Sequence, residues 1–200
     1  MVQAIENTII VLMGFAGTGK YTIGRELADR TGAKLIDNHL INNSLFTAIN
    51  ADGVTPLPVE IWSKIMRIRQ IVYETIRELS PRELSFIFTV QLFEEDPMDH
   101  AAFCDLVSLA EARGSLFAPI RLLCEMDELC RRVVSPSRAA MMKQISAEST
   151  RKTVASRSIL DPAHPNLRTI EVTHSSATDS ATTILEELRL IAERKRLDGK

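Results

Sequence analysis

The sequence predicts an α/β fold in three layers, a five-stranded parallel sheet with helices on both faces, and three observations point to it. Short apolar runs rich in β-branched residues alternate with helical patterns along the chain. The first run, helix and second run form a βαβ unit of about thirty residues, which implies a right-handed crossover between parallel strands. The run Leu84 to Val90, LSFIFTV, is apolar without interruption, as a strand covered on both faces must be.

Taken in order, Ile9 to Leu12 makes the first strand and stops at Gly14. From Lys20 the period becomes helical, with Ile23, Leu27 and Ala28 on one face. Gly32 introduces a second strand, Lys34 to Asp37, and Asn38 begins a short helix carrying Leu40, Ile41, Leu45 and Phe46. Ala51 to Pro58 is turn chemistry. A long helix follows from about Val59 to Leu79, its apolar stripe running through Ile61, Ile65, Ile68, Val72, Ile76 and Leu79, with Trp62 read as packing at the edge. Ser80-Pro81 ends it. After the third strand, Asp96-Pro97 starts a helix that ends near Gly114. Leu116 to Cys124 is the fourth strand, with Pro119 at its beginning or at a bulge. Glu125 to Val134 is a short helix, and Ser135 to Asn166 is polar and weakly periodic. Leu167 to Thr173 is the last strand, and Ala177 to Arg194 the closing amphipathic helix.

The 200 residues fit a single domain, 1–200, that folds without disulfide or metal. A net charge of −2 gives nucleic acid no general purchase, so no nucleic-acid partner is expected. Cys104, Cys124 and Cys130 are odd in number and read as small core hydrophobes in a reducing compartment. The N-terminal apolar run is too short for a membrane span and lacks the basic residues of a signal peptide. A cytoplasmic protein without a membrane partner is the expectation, as a monomer or homodimer.

Function is concentrated between Thr8 and Arg30. Strand, glycine-rich turn, lysine and helix follow one another, the context that a phosphate-binding P-loop requires. Gly14, Gly17, Thr18, Gly19, Lys20, Tyr21 and Thr22 form the expected cradle, holding phosphates mainly by backbone N–H groups at a helix N-terminus. Lys20 supplies charge to the β- and γ-phosphates. The residue after this lysine is ordinarily Ser or Thr, whose hydroxyl reaches Mg²⁺; here it is Tyr21, with Thr22 one place later.

The run GFAGTGKYTIGRELA resembles the Walker A segment of shikimate kinases and their relatives, the gluconate and nucleoside monophosphate kinases. IDNHLINN stands where those families hold an acceptor-binding carboxylate, and DGVTPLPVEIW is similar to the turn before the acceptor-side helix of gluconate kinases. LLCEMDELCRRV with Arg138 resembles the entry to their lid, and VTHSSATDSATTILEEL their last strand, adenine loop and final helix. The resemblance implies the three-layer P-loop NTPase fold, strand order 2-3-1-4-5, ATP and Mg²⁺. It departs at Asp37-Asn38-His39, where shikimate kinases carry Asp-x-Asp, and at Thr89 to Phe93 in place of Gly-Gly.

Phosphoryl transfer needs the phosphates held, the charge neutralised and the acceptor oxygen in line. Lys20, Asp37, Arg132 and Arg138 are the candidate catalytic residues. Asp37, ending the second strand beside the P-loop strand, would order a Mg²⁺-bound water or accept the acceptor's proton; capping the helix at Asn38 is its structural alternative. Thr22 and Asp37 are the candidate metal residues. Asp37, His39 and Arg67 are the candidate substrate residues, with Arg69 a second cation on the same helix. Arg131, Arg132 and Arg138 would close over the phosphates. The acceptor is expected within 38–80, under a lid at 135–166. ATP-dependent phosphoryl transfer to a hydroxyl of a small metabolite is the expectation; a nucleotide-binding module without transferase activity is the alternative.

Overall fold

The computed structural model describes residues 5–52, 55–135 and 145–198. Strands β1 (Thr8–Met13), β2 (Lys34–Asp37), β3 (Phe86–Val90), β4 (Leu116–Leu123) and β5 (Arg168–Glu171) form one sheet in the order β2-β3-β1-β4-β5. All of its pairings are parallel. The helices among the described residues are α1 (Lys20–Thr31), α2 (Asn38–Ala48), α3 (Glu60–Leu79), α4 (Pro97–Arg113), α5 (Met126–Val133), α6 (Ala147–Ser156) and α7 (Ala177–Asp198). Fold class and strand order are those the sequence predicts. None of these helices is long and apolar enough to cross a membrane.

The central strand shows why. β1 is buried over its whole length, and alternate side chains enter two cores. Ile9, Val11 and Met13 pack with Phe86 and Phe88 toward α3 and α4. Ile10 and Leu12 pack with Ile87 and Ile120 toward α1 and α7. Each such side chain contributes about 2 kcal/mol of burial. Gly24 brings α1 close to the sheet, since a Cβ there would lie 2.8 Å from Leu35 Cδ1.

Buried Arg113 ties α4 to the end of α3. Its guanidinium, 1% exposed, donates to the carbonyls of Ile76 at 2.6 Å and Pro81 at 2.8 Å and lies over the Phe86 ring. A cation at a helix C-terminus meets carbonyls that the helix itself leaves unpaired. Burial lowers its pKa, with Arg82 adding to that effect.

Several sequence expectations need correction. On α3 the buried residues are Ile61, Ile65, Tyr73 and Ile76, whereas Leu79 is 78% exposed. Trp62 is 43% exposed, so it is not core packing. Pro119 sits inside β4, opposite Val11, and neither starts the strand nor marks a bulge. Pairing with β5 begins only at Ile120, which leaves β4 unpaired on that side at Pro119, where a residue lacking an N–H is tolerated. Of the cysteines only Cys130 is buried, and Cys104 is exposed.

Within 145–166 the polar stretch holds a helix, α6, whose N-cap Ser146 accepts from the Ser149 amide. Beyond it the chain returns to the core: Ile159 and Leu160 are buried, and Leu160 N donates to Leu92 O at 3.0 Å. Glu94 and Glu95 accept from the amides of Asp161 and Ser158. These two carboxylates pin that return.

Candidate functional site

The glycine loop links β1 to α1 through a tight, packed turn. Gly17 has φ +93°, and a Cβ there would lie 2.9 Å from Leu129 O on α5. Gly19 caps α1 with φ +89°. Thr18 is buried, and its hydroxyl and amide both donate to Phe15 O. The first bond of α1 runs from Ile23 N to Gly19 O, so the amides of its first turn are unused by the helix. Lys20 folds back across this turn, and its ammonium donates to Gly14 O at 2.6 Å and Phe15 O at 2.8 Å. The ammonium therefore lies over the loop.

Two cavities flank the loop. One, of ≈ 190 Å³, is bounded by Thr18, Gly19 and Thr22 on one side and by Arg132, Val172 and Ser175 on the other. The second, of ≈ 1000 Å³, begins at Ala16 and extends between α2 and α3. The strand ends supply both, as parallel sheets with reversed strand order do.

Asp37 lies at the C-terminal end of β2, but β3 separates it from β1. It is 3% exposed and lines neither cavity. Its carboxylate does not cap α2; it accepts from the Thr89 hydroxyl at 2.5 Å. The same hydroxyl accepts from Asn38 N at 3.1 Å.

Arg132 borders the smaller cavity. It donates to Glu128 at 2.5 Å and to the carbonyls of Val172 and Thr173 at 3.0 and 2.8 Å, which fixes the loop after β5. Glu128 also accepts from Arg131, at 2.6 Å to each oxygen. The hydrogen bond from Arg131 is the main reason the Glu128 carboxyl is held down to about 2; the bond and charge of Arg132 add to it. Arg138 lies outside the described residues.

On the acceptor side, His39 lines the larger cavity with its Nδ1 3.2 Å from Asn43 Oδ1 and its ring edge-on to Phe46. Arg67 is exposed and away from the cavity. Arg69 lines it instead, donating to Asn38 Oδ1 at 2.5 Å. Burial lowers the Arg69 pKa, against which the charges of Tyr73 and Asp99 act. Asp99, also on the cavity wall, has its pKa raised by burial and lowered in part by the Phe93 amide that it accepts from at 2.8 Å. The sequence held a signal for Arg69: it falls four residues from both Ile65 and Tyr73, on the buried stripe.

Thr22 is exposed on the smaller cavity, so the two candidate metal residues do not share a cavity. Among the described residues no group of three or more His, Cys, Asp or Glu could hold a metal ion. Mg²⁺ that arrives on a nucleotide takes most of its oxygens from phosphate and water. The donor set fits a nucleotide-borne ion held by one hydroxyl, and not a resident metal.

No protein-family model matches this sequence, and no curated protein does. Solved structures do. A gluconokinase from Sinorhizobium meliloti superposes with a TM-score of 0.62 at 15% identity, over 97% of this chain and 98% of that one. A sugar kinase from Janibacter superposes at 0.59 and 17% identity, over 92% and 98%. The APS kinase of Mycobacterium tuberculosis, solved with AMPPNP and APS, superposes at 0.55 and 14% identity, over 92% and 98%. At these identities the likeness establishes the fold, that of P-loop small-molecule kinases.

Proposed function

We propose that this chain, which has the P-loop small-molecule kinase fold, catalyses ATP-dependent phosphoryl transfer to a hydroxyl of a small metabolite. The observation that carries this reading is the placement of one phosphate-type loop between two cavities. A two-substrate transferase needs a donor on one side of the transferring group and an acceptor on the other. In this reading the smaller cavity receives the nucleotide next to Arg132, and the larger one receives the acceptor. The gluconokinase and APS kinase likenesses agree with it.

Lys20 leaves its carbonyls for the β- and γ-phosphates, while the loop amides and α1 dipole bind their oxygens. Mg²⁺, when bound with ATP, would neutralise phosphate charge, and the hydroxyl of Thr22, on the wall of the smaller cavity, would hold it. Arg132, already anchored to Glu128, holds the wall of the nucleotide cavity and adds positive charge. His39 and Arg69 orient the acceptor. Arg138 and a lid within 135–166 complete the proposal, and on closure they would exclude water. Lys20→Met should abolish acceptor-dependent ATP consumption and leave the fold intact by circular dichroism. Retained turnover in that variant, or no acceptor in a broad metabolite screen, overturns the reading.

Two observations favour a second reading, a nucleotide-binding module without transferase activity. Asp37 is buried behind Thr89 and reaches neither cavity, and Tyr21 replaces the usual Mg²⁺ hydroxyl. Calorimetry separates the two. ATP binding that is indifferent to Mg²⁺, with no turnover, identifies the module.

A further inference from the structure

The larger cavity is chemically lopsided, and its asymmetry defines what fits. Trp62, Met66 and Arg69 lie on one face of α3 at i, i+4 and i+7, all lining the cavity. At one end are exposed apolar side chains, Trp62 at 43% and Val59 at 81%, with Leu57 beside them. Large apolar groups gathered around a single cavity mark a ligand surface, whereas scattered ones do not. Two turns along, roughly 10 Å at 1.5 Å per residue, Arg69 presents a partly buried guanidinium. Among the described residues it has no carboxylate within ion-pair distance and bonds only Asn38 and Met66. Three carboxylates, Glu60, Asp96 and Asp99, also border the cavity, as does Arg157, which lies 4.0 Å from Asp96 and over the Phe93 ring. Repulsion from the carboxylates is about twice as large for a dianion as for a monoanion, whose single charge Arg69 offsets.

Asn42, also on the cavity wall, is 3% exposed, and its amide oxygen has no partner among the described residues. A donor on the ligand, reached by a small rotation of this amide, would satisfy it. A volume of ≈ 1000 Å³ is at the upper end of the range for small-molecule sites, roughly 300–1,000 Å³. The apolar surface of Leu57, Val59 and Trp62 gives an apolar ring more area to cover than the hydroxylated chain of a sugar acid can.

We propose that the acceptor is a hydroxyl compound joining a planar, apolar ring to a single carboxylate, with the ring on Trp62 and the carboxylate on Arg69. This rests on the kinase reading for which cavity is the acceptor's, and is tested apart from it.

Trp62 is the only tryptophan of the chain, so its fluorescence reports binding at this wall directly. The probe is 3-[4-(hydroxymethyl)phenyl]propanoate, titrated beside its methyl ester, the corresponding phosphonate, and gluconate. The carboxylate should bind saturably, at least about tenfold tighter than each of the other three, about 1.4 kcal/mol at 25 °C. Arg69→Met should erase the preference for acid over ester, and Trp62→Leu, followed by calorimetry, should weaken the acid by about fivefold or more. Equal affinity for acid and ester overturns the proposal, as does gluconate binding as tightly, or no saturable binding of the acid up to about 10 mM. If Arg69→Met does not fold, the acid-to-ester ratio of the unmodified protein still decides. If the acid binds as expected and no acceptor drives ATP consumption, the kinase reading alone fails. ATP consumption driven by gluconate and not by ring acids removes this inference and keeps the kinase.

Discussion

The Thr89 hydroxyl donates to the Asp37 carboxylate at 2.5 Å and accepts the Asn38 amide at 3.1 Å, so one side chain at the end of β3 orients both the acid and the first turn of α2. Asn38 in turn accepts from Arg69. The acid at the strand end and the cation of the larger cavity thus share one short chain of hydrogen bonds. Thr89→Val preserves shape and removes the donor and acceptor. It should destabilise the fold by about 1–2 kcal/mol in urea unfolding, and Thr89→Ser by less than about 0.5 kcal/mol. Indistinguishable midpoints for Val and Thr would show that this link carries no weight.

The loop glycine at 17 makes a separate prediction. Its φ of +93° and the 2.9 Å approach of Leu129 O act on the same Cβ, so Gly17→Ala must shift either the loop or α5. A stability loss of about 1–3 kcal/mol is expected from the backbone conformation alone. ATP affinity by calorimetry should fall by about tenfold or more, because the loop amides no longer converge. A variant that binds ATP as tightly as the parent contradicts the cradle.

Much of the scaffold was legible because its signals are periodic or local. β1, the glycine turn and α1 announce themselves by composition and spacing, whereas the strand order comes from the resemblance, because parallel topology alone does not fix it. The acceptor cavity was less legible. Arg69 occupies a place on the buried stripe of α3, and a hydrophobic count passes over a cation there. Trp62 looks apolar in sequence, yet the fold turns it to the cavity, because Ile61 and Ile65 take the core positions beside it. α6 has little apolar periodicity and only Ser146 to announce it, and the burial of Ile159 and Leu160 depends on the chain returning to Leu92. No local pattern encodes that return.

Arg113 yields a stability prediction away from the site. Its buried guanidinium donates to the carbonyls of Ile76 and Pro81 at the end of α3, the second of which it shares with the Leu84 amide. Arg113→Met keeps the apolar stem over Phe86 and removes the donors, leaving the Ile76 carbonyl without its guanidinium bond and Pro81 with the Leu84 amide alone. A loss of about 3 kcal/mol in chemical denaturation is expected. Arg113→Lys, with one compact ammonium in place of a planar fork, should recover only part of it. Full stability in the Met variant would mean that water replaces the guanidinium at no cost.

The last prediction concerns acid. In the folded protein the Glu128 carboxyl sits at about 2, against an ordinary value of 4.5, chiefly because Arg131 and then Arg132 hydrogen-bond its charged form. Unfolding releases both arginines, so below pH 4.5 the unfolded chain takes up a proton that the folded chain refuses. By linkage the stabilisation from this group is fully present above pH 4.5 and is lost as pH falls toward 2. Glu128→Gln removes the titration: the variant should be less stable at neutral pH and should lose less stability between pH 4.5 and 2 than the parent. The two unfolding curves should therefore converge toward the acid end. The same change frees Arg132 from one of its anchors while leaving the carbonyls of Val172 and Thr173, so ATP affinity measured at neutral pH should fall only a few-fold, about 3-fold. Parallel acid limbs for the two proteins would place the charge of Glu128 outside the fold's stability, and an ATP affinity lost altogether would make Glu128 the principal support of Arg132.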